Sequence, residues 1–297
     1  MMTKTRAGTW MLALAGLIWV APALAKTDVD ETVKASATGR ISISNVSGSI
    51  VVEAWDKKEV RVTGTLDDKV KDLIVEESGG DVDIEVELPR RISGRGGAAD
   101  LKITIPKGAS LEVNTVSANI SVDDVEGELE LESVSGSVDV NANAVSAEIS
   151  TVSGSITVNG SVKLVEAESV SGSVTLRETS GEAEVATTSG RIEVDGGDFE
   201  TVNCVSVSGT IRFSGSPRAD SEFAFENFSG SIRLELPKDL NAELEVETFS
   251  GSISSDFGGR SRREEFGPGE FLNTTIGNGS AEIIVSTFSG SVEIRER

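Results

Sequence analysis

The sequence predicts an all-β solenoid, and three observations predict it. A five-residue unit recurs at a near-constant interval, short strands of alternating apolar and polar residues lie between its copies, and no segment outside the N-terminal leader shows a sustained helical period. The unit is apolar-Ser-Gly-Ser-apolar. It stands at Val46–Ile50, Val134–Val138, Val152–Ile156, Val170–Val174, Thr188–Ile192, Val207–Ile211, Phe228–Ile232, Phe249–Ile253 and Phe288–Val292, with a degenerate copy, VSANI, at Val116–Ile120.

The interval decides the architecture. From Ser117 to Ser189 the motif serines are spaced 18 residues apart, and the spacing widens to 21 between Ser208, Ser229 and Ser250. A half-period is visible as well: Ser171, Ser180 and Ser189 are 9 apart. Each half reads as a turn and a short strand, with Val174 and Leu176 facing one way and Thr175 and Arg177 the other. Two short strands and two turns in about 18–21 residues make one coil of a solenoid. Stacked coils repeat every ~4.8 Å, so equivalent residues form ladders along the axis. A lone coil cannot cover its own apolar face or complete its hydrogen bonds, so neighbours must do both.

Val116, Val134, Val152 and Val170 are expected to stack as one apolar ladder, continued by Phe228, Phe249 and Phe288. The lengthening of the coils where Val gives way to Phe is expected if the section widens to hold the larger side chain. Inward positions are assigned to aliphatics and Phe, corners to Ser and Gly, outward positions to Glu, Asp and Thr. The motif glycine is read as a corner residue with positive φ. The serines are read as bonding backbone groups or one another, because no base accompanies them for nucleophilic work.

The ends depart from the repeat. Residues 26–109 read as an irregular antiparallel N-terminal cap with the first irregular coils, built from strands at Val60–Leu66, Asp81–Leu88 and Leu101–Pro106. Asp68–Glu77 fits a short helix or a strand. Residues 110–297 carry the repeats, with a loop insertion near 256–269, after which the last copy of the unit is expected to close the stack.

Residues 1–25 read as a signal peptide: Lys4 and Arg6, an apolar run from Trp10 to Val20, then Ala23-Leu24-Ala25. Cleavage after Ala25 implies a periplasmic or secreted protein of the cell envelope, with no stable membrane insertion thereafter. It takes the formal charge from -22 to -24 by removing Lys4 and Arg6, and leaves Trp55 as the one tryptophan.

Composition excludes most catalytic chemistry. The chain has no His, no Tyr and one Cys, so no His-based triad or dyad, no imidazole acid–base, no intrachain disulfide and no structural zinc is available. Forty-nine acidic residues against 27 basic ones disfavour nucleic acid as a partner. No catalytic, cofactor or metal residue is assigned. The glutamates that alternate with Leu129 and Leu131 and with Leu244 and Val246 predict carboxylate rows on an outer face. Asp123-Asp124 and the pair Asp195 and Asp198 are weak candidates for a divalent cation, since neither fits a known calcium loop. Two basic loops stand out, Arg90–Ala99 and Arg260–Arg263, and Arg260, Arg262 and Arg263 form a candidate anion-contacting loop. Cys204 reads as a buried inert thiol.

Taken together, EAWDKKEVRVTGT (Glu53–Thr65), LKITIPKGASLEVNTVSANISV (Leu101–Val122), the serial VSGSI units and GNGSAEIIVSTFSGSVEI (Gly277–Ile294) resemble the bacterial putative-adhesin β-solenoid family, whose members carry domain-of-unknown-function labels. The resemblance implies a right-handed β-helical stack and a bacterial envelope or secreted protein, and supplies no catalytic motif. The expected function is a non-enzymatic adhesin or scaffold that presents a repetitive acidic surface to an envelope protein or glycan. A polysaccharide lyase or hydrolase is the alternative, and self-association through the solenoid ends is a further expectation.

Overall fold

The computed structural model describes residues 26–90, 96–259, 261–263 and 268–297. Residues 1–25, read above as a signal peptide, residues 91–95 of the first basic loop, and Arg260 lie outside the described residues. Among the described residues every regular element is a strand, and no helix is long and apolar enough to cross a membrane.

The N-terminal strands are β1 (Thr27–Lys34), β2 (Arg40–Trp55), β3 (Glu59–Leu66), β4 (Asp72–Ser78), β5 (Asp81–Glu87), β6 (Ala99–Pro106) and β7 (Ser110–Asp123). The segment with helix or strand potential at 68–77 is therefore extended in β4. It completes β5, whose buried Val82, Ile84 and Val86 alternate with outward acids. β2 lies parallel to β7 in full motif register, with Asn45 opposite Thr115, Ser47 opposite Ser117 and Ile50 opposite Ile120. The first copy of the unit is thus a rung of the stack, despite its distance in sequence from the next. On its other side β2 pairs in parallel with β5 and β6. Antiparallel β4 then covers β5, and antiparallel β3 and β1 cover β6.

The regular coils follow as strand pairs: β8 (Glu128–Ser133) and β9 (Val138–Asn141), β10 (Ser146–Thr151) and β11 (Ile156–Asn159), β12 (Leu164–Ser169) and β13 (Val174–Arg177). First strands pair in parallel with first strands and second with second, each step matching residues 18 apart. β14 (Gly181–Leu236) is one extended run that continues both columns.

The C-terminal strands are β15 (Ala242–Ser255), β16 (Arg262–Arg263), β17 (Glu270–Ile276) and β18 (Ala281–Glu296). The last copy of the unit does not close the stack. β18 is inserted between β14 and β15, in parallel with both, so Ser289 lies between Ser229 and Ser250. The end is covered instead by β17, antiparallel to β15, with β16 antiparallel to β17. An antiparallel cover hides backbone groups that another coil of the same kind would leave open to further pairing.

The core is narrow and aliphatic. Ile120, Val138, Ile156, Val174 and Ile192 form one buried column, and Leu129, Ala147, Val165 and Ala183 another. Phe199, Phe213, Phe223 and Phe225 fill the core where the coils are longer, with ring centroids 5.2–6.3 Å apart in tilted and edge-on contacts. These are the rings that accompany the longer coils. The motif Val and Phe are not inside: Val152 is 47% exposed and Phe228 58%. The ladder is real but runs along the outer surface. The buried slot beside it is taken by the preceding residue, Thr151 or Asn227, and one step along an extended chain turns the next side chain outward.

The motif glycine is required for a different reason from the one its turn suggests. Only Gly48 and Gly230 among the motif glycines have positive φ in the left-handed range. At Gly154 a Cβ would lie 1.8 Å from the carbonyl oxygen of Gly136, and at Gly172 it would lie 1.7 Å from that of Gly154. The same clash recurs at Gly209, Gly251 and Gly290. At these five glycines coil-to-coil approach, not backbone freedom, excludes a side chain, whereas the degenerate copy holds Ala118 at the same position, in register with Gly48. Gly172→Ala is expected to cost about 3 kcal/mol, the upper range for forced overpacking. Gly79→Ala, which meets no atom within 4 Å but has φ +67, is expected to cost about 1 kcal/mol. Urea denaturation of the two variants checks the order.

Candidate interaction surface

A groove runs beside the exposed ladder. Its middle stretch, about 470 Å³, is lined by Ser133, Thr151, Ser169 and Thr187 at the floor, by Val134, Val152 and Val170 on one wall and by Glu132 and Glu168 on the other. A second stretch of about 410 Å³ shares Val205 and Val207 with it and continues past Phe228, Phe288 and Phe249, with Glu226 and Glu247 on the facing wall. A third shares Thr115 and reaches Val46.

The floor was not anticipated from the sequence. A small polar residue precedes the motif in every copy: Asn45, Thr115, Ser133, Thr151, Ser169, Thr187, Ser206, Asn227, Thr248 and Thr287, all buried. Its invariable place one residue before the apolar position was the available signal. The hydroxyl clamps the turn. Ser133, Thr151 and Ser169 accept the N–H of Gly136, Gly154 and Gly172 at 2.8–2.9 Å. Ser169 also donates to the Gly154 carbonyl of the coil below, at 3.2 Å. One small group thus fixes the glycine of its own coil and joins it to the next. Asn227 uses an amide instead, accepting from the N–H of Ser229, the residue before the motif glycine, and donating to the Gly209 carbonyl of the neighbouring coil, both at 3.0 Å. Ser206 and Thr287 make no such bond, and their buried hydroxyl oxygens are unpartnered.

The exposed wall is continuous. Val116, Val134, Val152 and Val170 are each nearly half exposed, then come Thr188, Val207 and three phenylalanines. The rings stack in the spatial order Phe228, Phe288, Phe249, with centroids 4.9 and 4.8 Å apart and planes within 6°. Face-to-face stacking at the coil spacing occupies the inner ring faces and leaves the edges to solvent.

Next to the groove lies the carboxylate row expected from the alternating glutamates. Glu112, Glu130, Glu148, Glu166 and Glu184 are paired in register on successive coils. Partial desolvation, then the charges of Glu148, Glu184 and Glu168, raise the Glu166 carboxyl above its ordinary value. Among the described residues no group of three or more acids or thiols is placed to share a metal ion. Asp123 instead accepts from Asn141, which accepts from Asn159, in a side-chain ladder at 3.1 and 2.9 Å.

Of the basic candidates Arg260, Arg262 and Arg263, the last two fall among the described residues. Arg262 and Arg263 form the exposed β16, and the Arg263 guanidinium lies 3.9 Å from Glu270. Trp55 is engaged locally, donating to the Glu59 carbonyl at 2.8 Å under the Lys57 ammonium, 4.3 Å from the ring centre. Cys204 is fully buried, and desolvation pushes its thiol up to about 12, so it carries no thiolate at neutral pH.

The fold is a parallel β-solenoid covered at both ends by antiparallel strands, with an apolar ladder on its surface. The chain belongs to the Toastrack DUF4097 family, whose model matches residues 38–295. Among solved structures it is similar to a "putative adhesin" from Parabacteroides distasonis, at 11% identity over 90% of this chain and 97% of that one, TM-score 0.41. It is also similar to a "putative adhesin" from Bacteroides fragilis, at 10% identity over 91% and 98%, TM-score 0.33. A third, a "Putative lipid binding protein" from Parabacteroides distasonis, shares 16% identity over 90% and 96%, TM-score 0.33. No curated protein matches the chain.

Thr151→Val keeps the shape but strips the Gly154 N–H of its acceptor, and is expected to cost about 1–3 kcal/mol. Ser206→Ala removes an unpartnered hydroxyl and is expected to be neutral or stabilising. Thermal melts of the pair separate the clamp from mere packing. For Glu166, a raised folded pKa means that stability falls as pH rises through the unfolded value and reaches its lower level above the folded one. Glu166→Gln is therefore expected to raise the Tm at neutral pH, with the gain vanishing on acidification below the ordinary carboxylate range. A pH series of melts measures it.

Proposed function

We propose that the chain is an exported, non-enzymatic protein of the cell envelope, an adhesin or scaffold that presents its acidic solenoid face to a protein or glycan. The observation that carries this reading is the in-register row of Glu112, Glu130, Glu148, Glu166 and Glu184. Stacked like charges destabilise the coil that bears them. Arg40 lies 3.7 Å from Glu112 at one end of the row. The row's continuation through Glu130, Glu148, Glu166 and Glu184 over successive coils favours a role in contact with something outside the chain. The leader at 1–25 supports export, and the family resemblance supports a right-handed winding.

The polysaccharide-lyase or hydrolase alternative lacks support of the same kind. The glutamates stand in regular rows, and the three ladder rings are stacked on one another instead of laid flat for sugars. The test is retention of the purified chain on immobilised envelope fractions, compared with Glu130→Gln/Glu148→Gln/Glu166→Gln. Loss of retention in the triple variant, with unchanged melting cooperativity, is the expected result. Equal retention of both chains overturns the acidic-face reading, and release of reducing ends from a polysaccharide panel overturns the non-enzymatic one.

A further inference from the structure

The exposed ladder lies outside the acidic face and asks for its own partner. Ordered along the stack it runs Val46, Val116, Val134, Val152, Val170, Thr188, Val207, Phe228, Phe288, Phe249. Nine steps of about 4.8 Å give a stripe roughly 43 Å long. With its groove, at about 12 Å wide, it presents on the order of 500 Å² of surface, within the range of patches that mark interaction sites.

We propose that this ladder is the two-fold interface of a side-by-side homodimer, in which the solenoids lie antiparallel and the ridge of each copy enters the groove of the other. Three observations favour a second copy over another occupant.

The first is spacing. A ladder repeating every ~4.8 Å meets its like in step along its whole length, whereas an extended peptide laid along it offers same-side residues every ~6.7 Å. The second is size. The ladder grades from small to large, and a two-fold axis between Val170 and Thr188 reverses the grade. Val134 then faces Phe228, Val116 faces Phe288, Val46 faces Phe249, and Val152 faces Val207. Each bulky ring meets a small side chain, so the gap is filled evenly. The third is area. Two copies bury on the order of 1,000 Å², the lower bound for a specific interface. Closed two-fold pairing is also the commonest oligomeric arrangement.

The groove wall sets how tight the pairing is. The same axis places Glu132 opposite Glu226, while Glu168 faces Ala186 and Glu247 faces Ser44. The chain carries a formal charge of -22, so two copies repel at low ionic strength. The interface is apolar with like-charged borders, and salt must strengthen it.

The inference goes beyond the proposed function, and its test touches other residues. Sedimentation equilibrium of the purified chain is expected to give a monomer–dimer equilibrium that shifts toward dimer as salt rises from about 0.1 to about 1 M, where the screening length falls from about 10 to about 3 Å. Phe228→Asp, at an exposed position, is expected to weaken dimerisation about tenfold or more. Glu226→Gln is expected to tighten it a few-fold at low salt and to change little at high salt, which a folding defect would not produce.

Register is read by mild oxidation. A mixture of Val134→Cys and Phe228→Cys chains is expected to form a disulfide-linked heterodimer, while neither variant alone does, because like positions lie five coils apart. Scattering is expected to show a thicker particle of unchanged length. A monomer in both salts, a lengthened end-to-end dimer, or cross-linking of either variant with itself overturns the proposal. Dissociation by salt points instead to a cationic occupant and overturns it equally.

Discussion

Everything in this solenoid depends on how closely the motif glycines stack. From Gly136 onward, the carbonyl at the same corner of the neighbouring coil (Ala118 for Gly136, a motif glycine for the others) occupies the place where a Cβ would be, at 1.6–2.1 Å. That contact brings the chain through the corner at the same point in each turn. It sets the register of the flanking strands, so Ile120, Val138 and Ile156 meet inside and Glu130, Glu148 and Glu166 meet outside. A one-residue slip would exchange the two faces, and the glycine contact with its hydroxyl clamp opposes the slip.

The clamp explains why the motif pairs an exposed apolar residue with a buried polar one, against the usual preference. The corner has a backbone N–H to satisfy away from water. A small hydroxyl in the last inward slot of the strand satisfies it within the coil, and Ser169 shows the same group reaching the coil below. An aliphatic residue there would bury more apolar area but leave the glycine N–H unpaired. The next residue must then face outward. The surface ladder is in that sense a consequence of the clamp, since alternation fixes its direction. Its apolar character is not a consequence, because the outward place tolerates Thr188 as readily as Val170.

Much of the fold was legible because a solenoid writes its period directly into the chain. The 18-residue step, the strand pairs and the outward glutamates follow from motif spacing and alternation. Three features did not, each for a physical reason. The direction of Val152 and Phe228 depends on whether the strand's alternation continues through the turn, and the five-residue unit omits the Thr151 or Asn227 that decides it. The reason for glycine is a contact between residues 18 apart, invisible in local turn chemistry. The insertion of β18 between β14 and β15 is a matter of spatial order, since a motif copy at Phe288–Val292 fits any rung equally well by sequence. Of the candidate basic loop, Arg262 and Arg263 lie on an exposed two-residue strand.

The insertion of β18 bears on how such a stack can end. A solenoid grown strictly in chain order finishes with a coil whose outer backbone groups are bare. Here the chain passes the last position, lays antiparallel β17 against β15 with β16 paired to β17, and returns to fill the rung beneath. The N-terminus uses the same device in reverse: β2 leaves the stack, the outer strands β3 to β6 are laid down, and β7 comes back to pair with β2 on its other face. Each end is thereby tied by a contact distant in sequence, β2 with β7 and β14 with β18. A terminal coil cannot peel away without breaking pairings on a second strand. Closure of the ends by antiparallel covers also directs any association of copies to the sides, where the apolar ladder lies, because the ends offer a further parallel coil no matching edge.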